Sequence, residues 1–469
     1  MRLKSIFTNS FGILFSRVTG LGRDVLMASA LGASVWSDMF FIAFKLPNLF
    51  RRIFAEGAFT QAFMPSFIAS KHKGVFATTT LLRFLLFLML FSLTVSLFPE
   101  PITKLLAWGW SADRIEATAP LTAINFWYLD LIFIVTFFAT LLQYKEHFAT
   151  TAMSTALLNI SMIGALWFYM KEDPQTVAYA LSFAVIIGGA LQVGAHLVAL
   201  KKLKLDRLLT GGWKYRRNKD VKEETKHFKS LFLPGILGNA TPQISAFVDT
   251  LLATFLTTGS VSYLFYANRV FQLPLAIIAI ATATALFPSV SKAIKNGDET
   301  KAYAHLSQAF WLLAFLLGAA TLGGILLAEP IVWLLFERGK FTQTETMHTV
   351  FVLQMYMLGL IPFGLSKLFS LFLYASHRHK KAAKLALYSL VASVSASLIL
   401  MHPLGAGGLA LAGSVGGWVL FALTVKEVGT QKFKSIVLHK RSLYFIIAMP
   451  VFAALLYATN LWILSYIRG

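Results

Sequence analysis

The chain has 469 residues, of which 57% are hydrophobic and 13% are charged, a balance that excludes an ordinary soluble domain. It contains no cysteine, which excludes disulfide bonds and thiolate metal sites. The net charge of +21 is concentrated in short segments between apolar stretches, as in the cytoplasmic loops of membrane proteins, so we do not expect nucleic acid to be a partner.

Thirteen apolar segments, each long enough to cross a bilayer, follow one another along the chain. The second and the eighth contain Pro47 and Pro274, where we expect the helices to kink. With the N-terminus in the cytoplasm, basic segments between spans, such as 201–229 and 426–441, also lie in the cytoplasm. The predicted spans are 6–31, 35–69, 77–98, 118–142, 148–170, 176–200, 229–256, 260–291, 303–328, 347–375, 382–401, 405–425 and 443–466.

The two halves of the chain resemble each other in sequence. The letters GIL at 12–14 recur 223 residues later at 235–237, and PS at 65–66 recurs at the same offset at 288–289. This shared register indicates a duplication of six spans, so that both halves insert in the same direction around a central cavity. The predicted domains are a first lobe at 1–200, a basic cytoplasmic linker at 201–228, a second lobe at 229–425, and a loop with the thirteenth span at 426–469.

Five of the arginines that lie within or beside apolar spans are candidate site residues. Arg17 and Arg23 are in the first span, Arg51 and Arg52 are in the second, and Arg269 is in the eighth. A charge at the bilayer centre costs roughly 2.5–3.5 kcal/mol, so such residues require a watery cavity, a counter-charge or an anionic ligand. Because the arginine fork suits phosphate, we predict a diphosphate-binding site formed by arginines of both lobes. Arg17 could instead extend towards the lipid headgroups.

Four carboxylates accompany these arginines. Asp24 and Asp38 are candidate counter-ions inside the first lobe. Glu56 lies one helical turn after Arg52, and this pair could belong to the substrate site or form a structural ion pair. Asp249, in the seventh span, could bind a proton or cation, or hold an arginine of the cavity.

Motifs of catalysis are not evident in the sequence. We find no metal-ligand spacing, nucleotide-binding loop or nucleophile–base arrangement, so we expect no catalytic residue, no metal and no bound cofactor. Transport would then be driven by the membrane potential or by a monovalent cation. A membrane enzyme acting on polyprenyl phosphates is the alternative of another class, and it would require a clustered His/Asp/Arg motif.

The first two spans carry a long motif that resembles the MurJ (MviN) family of bacterial lipid II flippases. It comprises FSRV at 15–18, GRD at 22–24, AFKLPNL at 43–49, RRIFAEGAF at 51–59 and QAF at 61–63. Weaker agreement continues over most of the chain. It includes LNIS at 158–161, YANR at 266–269, GKFT at 339–342 and GLIP at 359–362.

The resemblance implies the fold of the multidrug/oligosaccharidyl-lipid/polysaccharide exporter superfamily. This is an all-α polytopic membrane protein with two six-helix lobes in a V around a central cationic cavity, here with about one extra C-terminal helix. It implies flipping of lipid II, the undecaprenyl-diphosphate-linked peptidoglycan precursor, from the inner to the outer leaflet of the bacterial cytoplasmic membrane by alternating access. The family's functional cavity positions match Arg17, Arg23, Asp24, Asp38, Arg51 and Arg269.

Two departures from the family pattern affect these expectations. Members typically have fourteen spans, the last two forming a groove for the lipid tail, whereas we count one such helix here. Some members bind sodium between the seventh and eleventh spans. Asp249 matches the acid of the seventh span, but 382–401 contains no carboxylate, so we do not expect that site.

Other expectations concern substrates and partners. Another polyprenyl-diphosphate glycan is the nearest alternative substrate. A cation-coupled drug exporter of the same fold would favour carboxylates over arginines in its cavity. We expect a monomer among membrane lipids, with cell-wall synthesis proteins as possible partners in cell wall biogenesis and the maintenance of cell shape.

Overall fold

The computed structural model describes residues 3–52, 58–217, 220–376, 378–438 and 440–468, without the side chains of 3–10, 237–242, 284, 299 and 379. Within these ranges all regular secondary structure is helical, as predicted. The chain divides into two compact units, Met1–Phe247 and Val248–Gly469. This division falls inside a helix and not at a predicted domain boundary, so the predicted boundaries stay predictions.

The first unit contains ten complete helices and most of an eleventh. They are α1 (Leu3–Leu31), α2 (Val35–Phe50), α3 (Thr60–Ala69), α4 (Lys73–Leu97), α5 (Pro99–Leu106), α6 (Ala112–Phe126), α7 (Tyr128–Tyr144), α8 (Ala149–Tyr169), α9 (Pro174–Lys202), α10 (Asp206–Tyr215) and α11 (Lys222–Ala253). The second unit repeats this order. It contains α12 (Ser260–Pro274), α13 (Ala281–Lys295), α14 (Glu299–Leu326), α15 (Ala328–Phe336), α16 (Gln343–Met357), α17 (Leu360–Ala375), α18 (His379–Val428), α19 (Thr430–Val437) and α20 (Lys440–Arg468).

Nine helices or helix pairs in the described ranges are long and apolar enough to cross a membrane. They cover ten of the thirteen predicted spans, because α18 holds both 382–401 and 405–425. The two predicted spans meet at Gly405, whose φ of 56° lies in the left-handed region that glycine tolerates. The described parts of the remaining predicted spans, 6–31, 35–69 and 229–256, are largely helical, in α1, in α2 with α3, and in α11.

The helix breaks predicted near Pro47 and Pro274 are present as widened turns. In the first unit α2 ends at Phe50, and π-helical residues begin at Arg51. In the second unit α12 ends at Pro274, and a π-helical turn follows at Leu275–Ile280. Each widened turn thus follows a proline, a residue that lacks the N–H of a regular helical turn.

The linker predicted at 201–228 is largely helical in the described part. Its helix α10 packs against the beginning of α4, where the Thr78 hydroxyl donates to the Leu209 carbonyl at 3.1 Å. Gly212 lies so close to Gly74 that a Cβ on Gly212 would approach the Gly74 carbonyl oxygen to 2.0 Å. The linker is therefore attached to the first unit by a backbone-to-backbone contact.

Paired glycines bring helices together in both units. A Cβ on Gly188 of α9 would lie 2.8 Å from the Leu158 Cα of α8. In the second unit, a Cβ on Gly416 would lie 2.9 Å from the Ser393 Cβ. Both distances are shorter than a van der Waals contact, so any larger side chain requires the helices to separate.

We expect Gly188→Leu to destabilise the protein by about 1–3 kcal/mol, because overpacking forces α8 away from α9. Gly194→Leu on the same helix is the matched control, since a Cβ there meets nothing within 4 Å. Both variants gain the same intrinsic helix propensity over glycine. Thermal denaturation of the purified proteins in detergent measures the difference, and equal melting temperatures would contradict the close packing.

Candidate functional site

Arg23 and Asp24, adjacent in α1, form a buried ion pair in the first unit. The Arg23 Nη2 atom lies 2.6 Å from Asp24 Oδ1, and Arg23 Nε donates to the same oxygen at 3.0 Å. The side chains are 8% and 2% exposed, respectively. Asp24 thus satisfies its predicted role as a counter-ion within the apolar interior.

Asn159 of α8 connects this ion pair to the rest of the unit. Its Oδ1 atom accepts a hydrogen bond from Arg23 Nη1 at 3.1 Å. Its Nδ2 atom donates to the Ser16 carbonyl at 3.0 Å and to the Thr19 hydroxyl at 3.2 Å. The amide therefore joins α8 to two successive turns of α1. We did not assign this role from the sequence, where a single asparagine in an apolar span offers no distinctive signal.

Arg17 differs from Arg23 in its surroundings. It lies near the middle of α1, six residues before Arg23, and its side chain is exposed. Among the described residues, no carboxylate forms an ion pair with it. A guanidinium at this place on a membrane helix is accessible to an anion from outside the protein.

Asp38, near the beginning of α2, pairs with an arginine that the sequence analysis did not single out. Arg114 of α6 places Nη2 3.0 Å from Asp38 Oδ2, and the Asp38 side chain is 2% exposed. The guanidinium carbon of Arg114 also lies 3.9 Å from the centre of the Trp110 ring. The ion pair and the stacked tryptophan together fix the beginning of α6 on α2.

Arg51 and Arg52 follow α2 and are half-buried. Arg51 Nε donates to Asn48 Oδ1 at 3.2 Å, one helical turn earlier. Arg51 also lines a small cavity of about 40 Å³, with aromatic neighbours that include Phe59 and Phe133. Glu56 lies outside the described residues, so its pairing with Arg52 stays a prediction.

Arg269 and Asp249 belong to the second unit and are both half-buried. The guanidinium carbon of Arg269 lies 4.9 Å from the centre of the Phe265 ring on the same helix. Asp249 lies near enough to Tyr356 of α16 to influence it electrostatically.

Metal ligands do not cluster in the described part of the chain, where no three His, Cys, Asp or Glu residues are close enough to hold an ion. The ion pairs and hydrogen bonds of the first unit join Arg23 with Asp24 and Asn159, and Asp38 with Arg114.

Asp130 of α7 is a further carboxylate that the sequence analysis missed. It is 6% exposed and lies within a membrane-spanning segment. The criterion that identified Arg23, a charge inside an apolar run, would have found it in the sequence LDLIF at 129–133.

Known proteins resemble this chain in sequence over almost all of its length. A family model described as Lipid II flippase MurJ matches residues 27–467. A probable lipid II flippase MurJ of Helicobacter pylori is 47% identical over 460 residues, which are 95% of this chain and 100% of that protein. Its counterpart in Buchnera aphidicola is 31% identical over 478 residues, covering 100% of this chain and 91% of that protein.

Solved structures resemble the chain in fold. A lipid II flippase MurJ in an inward closed conformation has a TM-score of 0.78 at 24% identity, covering 98% of this chain and 99% of that one. An inward-facing multidrug resistance MATE family transporter of the MOP superfamily has a TM-score of 0.69 at 15% identity, covering 92% and 98%. Both structural similarities cover more than 90% of this chain.

Proposed function

Because the chain belongs to the lipid II flippase MurJ family, we propose that it moves lipid II from the inner to the outer leaflet of the cytoplasmic membrane. The chain is a multi-pass membrane protein with the helical fold of a transporter. Lipid II is named as the substrate of relatives that match this chain over nearly all of its length.

The observation that carries the proposal in the structure is the exposed Arg17 near the middle of α1. A cation at this depth is costly unless an anion or water neutralises it. A diphosphate provides several oxygen acceptors for a guanidinium and would offset that cost. Binding of a lipid-linked diphosphate during transport would account for the exposed Arg17, whereas a purely structural role of α1 would not.

The other predicted site residues would contribute in different ways. We propose that Arg51 and Arg52 in the first unit, and Arg269 in the second, bind the substrate as Arg17 does. Arg23 is hydrogen-bonded to Asp24 and Asn159, so it would act mainly by setting the position of α1. Asp38 would position α2 through Arg114, and Asp249 would act beside Arg269.

We also propose a cytoplasmic N-terminus, which the basic segments between the spans favour. Membrane potential or a monovalent cation would drive the cycle. In the cell, we propose that the protein acts as a monomer and contacts cell-wall synthesis proteins.

The experiment that tests the function measures lipid II in the outer leaflet of bacteria depleted of their own flippase and expressing this chain. We expect restored flipping by the wild-type chain and a loss of at least tenfold with Arg17→Ala and with Arg269→Ala. A tenfold loss corresponds to about 1.4 kcal/mol, within the range of one charge-assisted hydrogen bond. Arg207→Ala is the control, because Arg207 is an exposed cation of α10.

Membrane levels of all variants must be matched before flipping is compared. No restoration by a well-inserted wild-type chain would contradict lipid II as the substrate and favour another polyprenyl-diphosphate glycan. Full activity of both arginine variants would be consistent with lipid II flipping but would contradict the proposed contacts of Arg17 and Arg269 with the substrate. Equal loss with Arg207→Ala would indicate a general effect of surface charge.

A further inference from the structure

A buried carboxylate of the first unit forms no ion pair with a cation among the described residues. Asp130 Oδ2 accepts a hydrogen bond of 2.5 Å from the Ser92 hydroxyl of α4. Its other oxygen, Oδ1, is buried and has no hydrogen-bond partner among the described residues. A carboxylate that keeps a full charge in such surroundings is expensive, because no counter-ion among the described residues compensates for its burial.

The charged groups on the neighbouring helices do not compensate either. Among the described residues, the side chain of Asp130 is hydrogen-bonded to Ser92. None of the titratable side chains on the elements packed against α7 forms an ion pair or a hydrogen bond with Asp130 in the described part of the chain. They are Asp38 and Lys45 of α2, Lys73 and Arg83 of α4, Asp113, Arg114 and Glu116 of α6, Tyr128, Tyr144 and Lys145 on or beside α7, and Tyr179, His196, Lys201 and Lys202 of α9.

We propose that Asp130 is a proton-binding site of the first unit, protonated in the conformation described here and able to release its proton in another conformation. Protonation removes the buried charge. It also preserves the contact with Ser92, because the hydroxyl of the protonated Asp130 or the hydroxyl of Ser92 can then donate the hydrogen bond. The proton comes from water and returns to water, so the step requires no other reactant. Proton binding itself is independent of the proposed function, whereas its use in transport rests on that function.

A proton fits this site better than a metal cation does. Metal cations such as Mg²⁺ and Ca²⁺ require several oxygen ligands around them. Near Asp130 the polar atoms of α4 are already engaged. The Ser96 hydroxyl donates to the Ser92 carbonyl at 2.9 Å and accepts from the Trp127 indole N–H at 3.0 Å. Ser96 and Trp127 therefore offer no further ligand for a metal cation beside Asp130 Oδ1.

The position of Asp130 connects its protonation to a joint in the backbone. Trp127 is the single residue between α6 and α7, and it is hydrogen-bonded to Ser96. Asp130 follows three residues later and is hydrogen-bonded to Ser92, one turn before Ser96 on α4. Both sides of the joint are thus attached to the same face of α4. A negative charge on Asp130 would favour rearrangement of this joint to admit water, which gives proton release a structural consequence.

The test is a pH titration of the purified full-length chain in lipid nanodiscs, followed by infrared difference spectroscopy. A protonated carboxylic acid has a carbonyl stretch separate from that of a carboxylate. We expect a band that titrates in the wild-type protein and is lost in Asp130→Asn, which keeps the side-chain shape. Asp113→Asn is the matched control, because Asp113 is an exposed carboxylate of α6.

Ser92→Ala provides a second variant that does not remove the carboxylate. Loss of the hydroxyl removes a hydrogen bond that favours the charged form, so we expect the midpoint of the band to rise by about one pH unit. A band absent from the wild type, a band retained in Asp130→Asn, or a band unchanged over the whole pH range would each overturn the proposal. A response to sodium in place of pH would overturn it in favour of a cation site.

Coupling to transport is measured separately in liposomes that contain lipid II and carry a pH gradient. We expect the gradient to change the flipping rate of the wild type and of Asp113→Asn, and to have no effect on Asp130→Asn. A wild-type flipping rate that does not change with the pH gradient would overturn the coupling of proton binding to transport. Absence of any flipping would instead contradict the proposed function, while the infrared titration would still decide whether Asp130 exchanges a proton.

Discussion

Asp24→Asn is expected to lower the free energy of unfolding by about 3 kcal/mol. Removal of one partner from a buried ion pair typically costs 3–5 kcal/mol, because the remaining charge is left buried without compensation. We expect the lower end of that range, since Asn159 still accepts a hydrogen bond from Arg23. Thermal unfolding in detergent measures the loss, and Asp113→Asn, at an exposed site on α6, should show almost none.

A double variant separates the structural role of this pair from a role in transport. Arg23→Met combined with Asp24→Leu removes both charges and fills the same space. Such replacements of buried ion pairs are often neutral or stabilising. We expect stability close to that of the wild type. If flipping also returns, Arg23 serves only to position α1; if stability returns without flipping, Arg23 contributes directly to transport. A double variant as unstable as Asp24→Asn would contradict the assignment of the loss to an uncompensated charge.

Arg114→Leu is expected to destabilise the first unit by a similar amount, about 3 kcal/mol, because it removes a positive charge that is paired with the buried Asp38 carboxylate. Arg114→Lys should cost less, about 1 kcal/mol. It retains the positive charge but loses much of the stacking on Trp110. Melting temperatures of the purified proteins provide the measurement, with Arg207→Leu on exposed α10 as the control.

The combination of Asp38→Asn with Arg114→Gln tests the origin of this effect. Both replacements are neutral and can still hydrogen-bond to each other, so most of the lost stability should return. If Arg114→Leu and Arg207→Leu melt at the same temperature, the ion pair is not important for stability. Flipping by the neutral pair then reports whether transport needs the charge of Asp38 or only a fixed geometry between α2 and α6.

Local features of the fold could be predicted because their causes lie close together in the sequence. Apolar runs determine the spans, and prolines explain the breaks after α2 and α12. Asp24 was recognised as a counter-ion because it is adjacent to Arg23.

Tertiary partners could not be predicted in the same way. Arg114 lies 76 residues from Asp38, and Asn159 lies 136 residues from Arg23. A single sequence gives no signal for such distant pairings, because apolar helices can pack in several registers. The structure also distinguishes the exposed Arg17 from the buried Arg23, although both occur in one helix and share the same chemistry.

The widened turn in the second span has a consequence for the history of the chain. It begins at Arg51 in the first unit and at Leu275 in the second, positions equivalent within one residue at the repeat offset of 223. The prolines before it are not equivalent, because Pro47 corresponds by that offset to Val270 and not to Pro274. A common ancestor of both halves that already had the irregular turn explains this pattern most simply, with each proline acquired later. The backbone shape would thus be older than the residue that now supports it.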